Sequence, residues 1–543
     1  MKKRGLLGLP IILIFLAVLL AGCASQESTG SAAAAGATGS EVVRLAGGDY
    51  GYPQPFTVYP RGPGVAKMTM IFDGLVEKDE NGIIPWLAES WDVSDDGKEY
   101  TFHLRDNVTW QDGTPFTAGD VKFTFEYEKT HVPVYGGAME KDVVEEVRVI
   151  DDNTVKFVLK QPISTFLYKL YNFKIIPEHI YSGVDDPVNF LAPEAVTGTG
   201  PFKLAEYGKE HGTYKFVAYE DFWGPEPAIK IVEFVPVSEE LIAFEQGIVD
   251  FTTVTPDTLH RFTSNADIRI AQQPAFFGYE LYFNMAKRPE LGDRTIRQAF
   301  AHAVDRDELV EKIARGAGKP GMMGALPQDH LWYNPDQTVY GYDPAKAKEL
   351  LDRAGWKDTD GDGIREKDGV KLSYSLSLAS EEVRIGELIK ERLKEVGIDI
   401  QVRALESRSR DANLESGNFE LIVNGYGGMG YDADYLRTKY CGEGYGISGA
   451  DATRPVYGYR NVTLDALAAR EITELDESER RQIVYEMQAL LAEDVPTVPL
   501  LYTTSDDAWR ISTFDGWMNM YDHHVRTHSK LSFLERDGIA AKR

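Results

Sequence analysis

Leu372-Ser373-Tyr374-Ser375-Leu376, then Glu381 to Val396, then Ile398-Asp399-Ile400-Gln401-Val402, then Ser407 to Glu415, then Phe419-Glu420-Leu421-Ile422-Val423 form the stretch that decides the fold. The first, third and fifth pieces are short runs rich in apolar residues and read as strands. In the second, Ile385, Leu388, Ile389, Arg392, Leu393 and Val396 fall along one stripe at helical spacing, and Gly397 closes the helix. The fourth reads as a polar helix. Strand and helix alternating in this way imply a parallel sheet with right-handed crossovers. Ligands of such sheets bind beyond the carboxyl ends of the strands. The segment after Val423, Asn424-Gly425-Tyr426-Gly427-Gly428-Met429-Gly430-Tyr431-Asp432, is a glycine-rich aromatic loop in that place.

Downstream, two helices are expected from about Leu464 and Asp476, the second with Ile483, Val484, Met487, Leu490 and Leu491 on one face. Upstream, residues 71 to 160 are rich in strands. Tyr100, Phe102 and Leu104 alternate with polar residues after an Asp96-Gly97 turn, and Thr154 to Leu159 returns to strand character. Thr117 and Asp120 have the spacing of a helix cap. Ordered structure is expected to start at Val42-Val43-Arg44-Leu45. Residues 24 to 40, ASQESTGSAAAAGATGS, have nothing to bury and read as a tether.

A chain of 543 residues is too long for one core and implies two or three domains. The formal net charge of −27 argues against nucleic acid and anionic lipid surfaces as partners. The two cysteines, Cys23 and Cys441, rule out a disulfide-stapled domain. Lys2, Lys3 and Arg4, the apolar run from Leu6 to Leu20, and Leu20-Ala21-Gly22-Cys23 make a secretory signal. The segment resembles the lipoprotein variant, in which the Cys23 thiol carries lipid and becomes the first mature residue. The alternative is an N-terminal membrane helix, and both place the rest of the chain outside the cytoplasmic membrane.

Seven segments in order, IFDGLV (Ile71–Val76), PWLAESW (Pro85–Trp91), YTFHLR (Tyr100–Arg105), WQDGTPFTA (Trp110–Ala118), GTGPF (Gly198–Phe202), IRQAFAHAVDR (Ile296–Arg306) and YDPAKAKELL (Tyr342–Leu351), closely resemble the large solute-binding proteins of peptide and nickel ABC importers, solute-binding family 5. The resemblance implies an α/β, two-lobed fold of the periplasmic-binding-protein type II kind, with an extra subdomain inserted in the first lobe. The expected division is 1–22 signal peptide, 23–40 tether, 41–72, 186–285 and 500–543 first lobe, 73–185 inserted subdomain and 286–499 second lobe. It also implies a function. A peptide or small solute enters the gap between the lobes, favours the closed state, and is delivered unchanged to ABC permease subunits in the membrane. The expected protein is a monomer with no catalytic residues, held by its lipid on the outer face of the cytoplasmic membrane.

Peptide-binding relatives carry a Trp in this loop and, three residues on, an Asp that pairs with the peptide amino group. The matching places are Tyr426 and Met429, so the carboxylate is missing at that spacing. Asp432 or Asp434 replaces it, or both cap the following segment. Nickel-binding relatives have an aromatic residue and then Tyr-Asp, which Tyr426 and Tyr431-Asp432 partly match. They also supply a histidine, and none lies between His330 and the pair His523-His524. Arg61 is a candidate cleft residue whose fork suits a carboxylate, with a surface salt bridge as the other reading. The expected ligand set is therefore Arg61, Tyr426, Met429, Tyr431, Asp432 and Asp434.

Asp358, Asp360 and Asp362 alternate as in the first half of a calcium loop, with Gly363 at the turn. The bidentate Glu expected at position twelve is Gly369, for which Glu366 or Asp368 would compensate. A structural calcium here, or a polar turn without one, are the two readings, and no other cofactor is required. Of the rival functions, a secreted hydrolase lacks any nucleophile elbow, His-Glu-x-x-His or Walker motif. A membrane-coupled ligand sensor needs the same closing cleft.

Overall fold

The computed structural model describes residues 40–58, 62–134, 143–427, 429, 432–441, 457–519 and 526–537. The decisive stretch builds one half of a six-stranded sheet. Ser373–Ala379 pairs in parallel with both Asp399–Leu405 and Leu421–Tyr426, and the helices Val383–Lys394 and Ser407–Ser416 make the crossovers. Gly397 takes φ +85°, the left-handed turn that lets the first helix end and the chain re-enter the sheet. The other half is antiparallel, from Phe277–Phe283, Thr497–Thr503 and the short edge strand Gly318–Pro320. Pairing with Phe277–Phe283 extends the third strand past the expected end at Val423. Gly278 faces Tyr426 across the ladder, so Asn424 to Tyr426 are strand, not loop.

This sheet and its helices close one core around Leu281, Phe283, Phe300, Leu376, Leu378, Leu421, Val423 and Leu501. A separate core lies in a four-stranded sheet ordered Val42–Gly47, Ile231–Pro236, Thr213–Ala218 and Phe202–Gly208, and contains Val43, Phe202, Tyr214, Phe216 and Val232. A third core belongs to an antiparallel sheet of Ala88–Val93, Glu99–Leu104, Thr154–Leu159 and Val144–Asp151, backed by the helix Ala118–Glu128. Thr117 and Asp120 make the expected capping box on that helix. The fold is thus two α/β lobes, with the third core as a subdomain. Strands Phe277–Phe283 and Thr497–Thr503 belong to the second-lobe sheet, although the first lies wholly before the expected bound at 286 and the second runs across the one at 499.

Among the described residues the chain passes between the lobes twice. Ile268–Gln272, in a three-stranded sheet with Asp506–Arg510 and Phe251–Val254, leads after four residues into Phe277–Phe283. Thr497–Thr503 leads after two residues into Asp506–Arg510. The two crossings are joined by Gln273 N–H donating to the Ser505 carbonyl at 2.7 Å. Beside them Asp507, fully buried, accepts from Gln273 Nε2 at 2.6 Å and from Arg526 at 2.6 Å. Among the described residues no helix is long and apolar enough to cross a membrane, while the run from Leu6 to Leu20 and Cys23 lie outside them.

The GTGPF segment explains itself in packing. Gly200 N–H donates to the Ile71 carbonyl at 2.7 Å, and a Cβ on Gly198 would lie 1.9 Å from that same oxygen. Gly198→Ala forces backbone away from backbone and is expected to cost about 1–3 kcal/mol, the range for overpacking, measured by urea unfolding against wild type.

Candidate functional site

The third strand of the decisive stretch delivers its carboxyl end at Tyr426, and the chain then turns into the helix Asp434–Tyr440. The Tyr426 ring is buried. It stacks near Tyr435 with centroids 6.4 Å apart, meets Tyr502 edge-on at 6.4 Å, and has Lys439 Nζ 4.2 Å from its centroid. Lys439 is itself buried and pairs with Glu280, which also accepts from Tyr440 Oη at 3.0 Å and from Thr497. Desolvation lowers the Lys439 pKa against the pull of Glu280. Met429 is buried in the same core, and its carbonyl lies 3.4 Å from His330 Nε2.

Both carboxylates of the loop face arginines of the protein. Asp432 accepts from the two terminal nitrogens of Arg480 at 2.8 and 2.5 Å, and its Oδ1 also caps Asp434 N–H at 2.8 Å. Burial works against the Asp432 charge, but the Arg480 guanidinium and its hydrogen bonds outweigh it and hold the carboxyl below its ordinary range. Asp434 pairs through both oxygens with Arg437 one turn on in its own helix, with Nη2 at 2.8 Å. Arg480 also donates Nε to Glu471 at 2.8 Å. Glu471 is fully buried at the end of the helix Val462–Glu471, and burial pushes its carboxyl up to about 7 against the attraction of Arg480.

The structure therefore brings Tyr426, Met429, Asp432 and Asp434 to one end of the second-lobe sheet. Arg61, Tyr431, Cys23, His523 and His524 lie outside the described residues. Sequence reasoning missed Arg480 and Glu471, yet each left a signal. Arg480 stands on the apolar stripe of its helix with Ile483, Val484, Met487 and Leu491, and Glu471 on that of Leu464, Leu467 and Ala468. A charge on a buried stripe announces a buried partner.

At the acidic turn, Asp358, Asp360 and Asp362 do what short carboxylates do in turns. Asp358 accepts from Gly361 and Gly363 N–H at 2.8 and 3.0 Å, and Asp362 accepts from Ile364 N–H at 2.9 Å. Oxygens of Asp358, Asp360 and Glu366 come within 4.8 Å of one another. The Lys371 ammonium lies 2.7 Å from Asp360 and also pairs with Asp362.

Residues 82–446 match the sequence profile of the bacterial extracellular solute-binding proteins, family 5 (middle region). The chain is 30% identical over 387 residues to the dipeptide-binding protein of Escherichia coli, covering 65% of this chain and 69% of that one. It is 29% identical over 391 residues to the nickel-binding periplasmic protein of the same organism, with coverages of 67% and 71%. The fold is that of NikA from Brucella suis, solved in complex with Fe(III)-EDTA, with a TM-score of 0.74 and 24% identity over 91% of this chain and 99% of that one.

Because Asp434 and Arg437 are both buried, Asp434→Ala strips the guanidinium of the carboxylate it faces. The expected loss is about 3 kcal/mol, the lower end for breaking a buried pair, read by urea unfolding. Asp434→Asn, which keeps an acceptor, should recover part of it.

Proposed function

We propose that this chain, which belongs to the bacterial extracellular solute-binding proteins of family 5, captures a peptide or peptide-like small solute between its lobes and presents it to the permease of an ABC importer. The observation that carries this reading is mechanical. Two lobes with separate cores are joined by two short crossings, so the gap between them can open and shut without either core changing. A solute that touches both faces then drives closure by its differential affinity for the closed form. In this reading the loop bearing Met429, Tyr431, Asp432 and Asp434, seated on Tyr426, borders the solute from the second lobe, and Arg61 faces it from the first. The Cys23 thiol carries the lipid that holds the protein, as a monomer, at the outer face of the membrane. No bond of the solute is broken.

A second reading, capture of a nickel complex, draws on one observation. Asp432 and Asp434 are already paired with Arg480 and Arg437, so neither stands ready for a peptide ammonium. Native purification followed by mass spectrometry of the retained solute separates the two. A thermal-shift panel of di-, tri- and oligopeptides against nickel–histidine complexes does so in solution. A true solute at a hundred times its Kd adds about 2.7 kcal/mol, and the solute class that raises the melting temperature names the function. Release of cleaved products would move the protein to the hydrolases. Ligand-dependent closure without uptake by cells carrying the permease would make it a sensor.

Calcium at the Asp358, Asp360, Asp362 and Glu366 turn belongs to the same proposal as a structural ion and no more. It has to displace the Lys371 ammonium, so calorimetric titration should show tighter calcium binding to Lys371→Ala than to wild type; equal absence of heat in both removes the ion.

A further inference from the structure

The second lobe also touches the inserted subdomain through residues that belong to neither crossing. Ser164, in the loop between the strand Thr154–Leu159 and the helix Phe166–Asn172, donates its N–H to the Ile472 carbonyl at 2.8 Å. Its hydroxyl reaches the Glu471 carbonyl at 3.2 Å. The Ile472 side chain joins the core of the subdomain, beside Ile163 and Phe166. Leu475 sits so close over Gly97 that a Cβ there would come within 2.3 Å of Leu475 Cδ1.

One buried guanidinium connects this docking point to the loop at the end of the strand Leu421–Tyr426. Arg480 holds Asp432 through both terminal nitrogens and Glu471 through Nε and Nη2. Glu471 is the residue before Ile472. Its Oε1 is bound by Arg480, and its Oε2 has no hydrogen-bond partner among the described residues. The Glu471 side chain is thus held by Arg480, and Arg480 in turn by Asp432 and by the Trp332 ring, whose centroid lies 4.9 Å from its guanidinium carbon.

We infer that Arg480 is a positioning residue that couples the Asp432 loop to the docking of Glu471-Ile472 on Ser164 of the inserted subdomain. The functional meaning of that coupling rests on the solute-capture reading, because a solute acting on the loop would then bias closure at the far side of the gap. The coupling itself needs no solute, so its test fails or succeeds independently of that reading.

The readout is the exchange rate of the Ser164 amide, followed by hydrogen-exchange mass spectrometry of the full chain without solute. Its hydrogen bond to the Ile472 carbonyl is itself one of the docking contacts. Ile472→Ser breaks the docking directly and sets the upper limit of exchange. Asp432→Asn, which alters a residue that makes no hydrogen bond to the described residues of the subdomain, should raise Ser164 exchange about tenfold, while amides of the strands Ser373–Ala379 and Thr154–Leu159 keep wild-type rates. Glu471→Gln, which keeps the size of the side chain and removes its charge, should act in the same direction and stands in if Asp432→Asn does not fold. Ser164 exchange unchanged in the folded Asp432→Asn or Glu471→Gln chain overturns the coupling. So does an equal rise across the second-lobe sheet, which would mark general loosening, and so does an Ile472→Ser chain whose Ser164 stays protected.

Discussion

Two short crossings govern what this protein can do. Each is the continuation of a strand: Ile268–Gln272 runs on into Phe277–Phe283, and Thr497–Thr503 into Asp506–Arg510, so a few backbone dihedrals at 273–276 and 504–505 carry any change of angle between the lobes. The backbone bond from Gln273 to Ser505 keeps the crossings side by side and makes them a pair that must bend together. A buried carboxylate, Asp507, is fixed next to them by Gln273 and Arg526. That network ties Gln273, Asp507 and Arg526 together where both crossings leave the first lobe.

Buried charge recurs at several places where different chain segments meet. Lys530 near the carboxyl end pairs with Asp73 and Glu77 at the root of the inserted subdomain, and Trp86 Nε1 and Thr199 Oγ1 complete the shell of Asp73 at 2.7 and 2.8 Å. Lys439 meets Glu280, and Arg480 meets Asp432 and Glu471. Such pairs contribute little net stability, because desolvation consumes most of the Coulomb gain, but losing one partner costs several kcal/mol. They act here as register marks: an apolar contact tolerates a slip of one turn, whereas a guanidinium facing two carboxylates does not.

The parallel half of the second-lobe sheet was legible because its signals are local. Stripe spacing, Gly397 and three apolar runs are all properties of contiguous residues, and the strands and helices fall within a few residues of their expected places. The antiparallel half was not, because Phe277–Phe283 and Thr497–Thr503 are separated by the whole lobe and only their pairing makes them one sheet. The same non-locality moved Tyr426 from loop to strand. In the candidate site, the sequence pointed to Asp432 and Asp434 but not to their partners. Arg437 and Arg480 had the spacing of ordinary helix residues, and only their place on buried faces distinguished them.

That commitment bears on specificity through magnitudes. A solute ammonium that takes Asp432 from Arg480 has to leave a buried guanidinium without one of its carboxylates, at about 3–5 kcal/mol. This equals a factor of roughly 10²–10⁴ in affinity, which the new ion pair can at best return. An ammonium therefore gains nothing from these carboxylates that the protein's own arginines do not already have. On the proposed reading, discrimination among solutes falls instead to shape and to groups of the first lobe, and the charged cluster at Asp432 serves the proposed coupling. If solute contact at this loop is as proposed, a loop whose charges are satisfied from within reports the presence of a solute without specifying its charge.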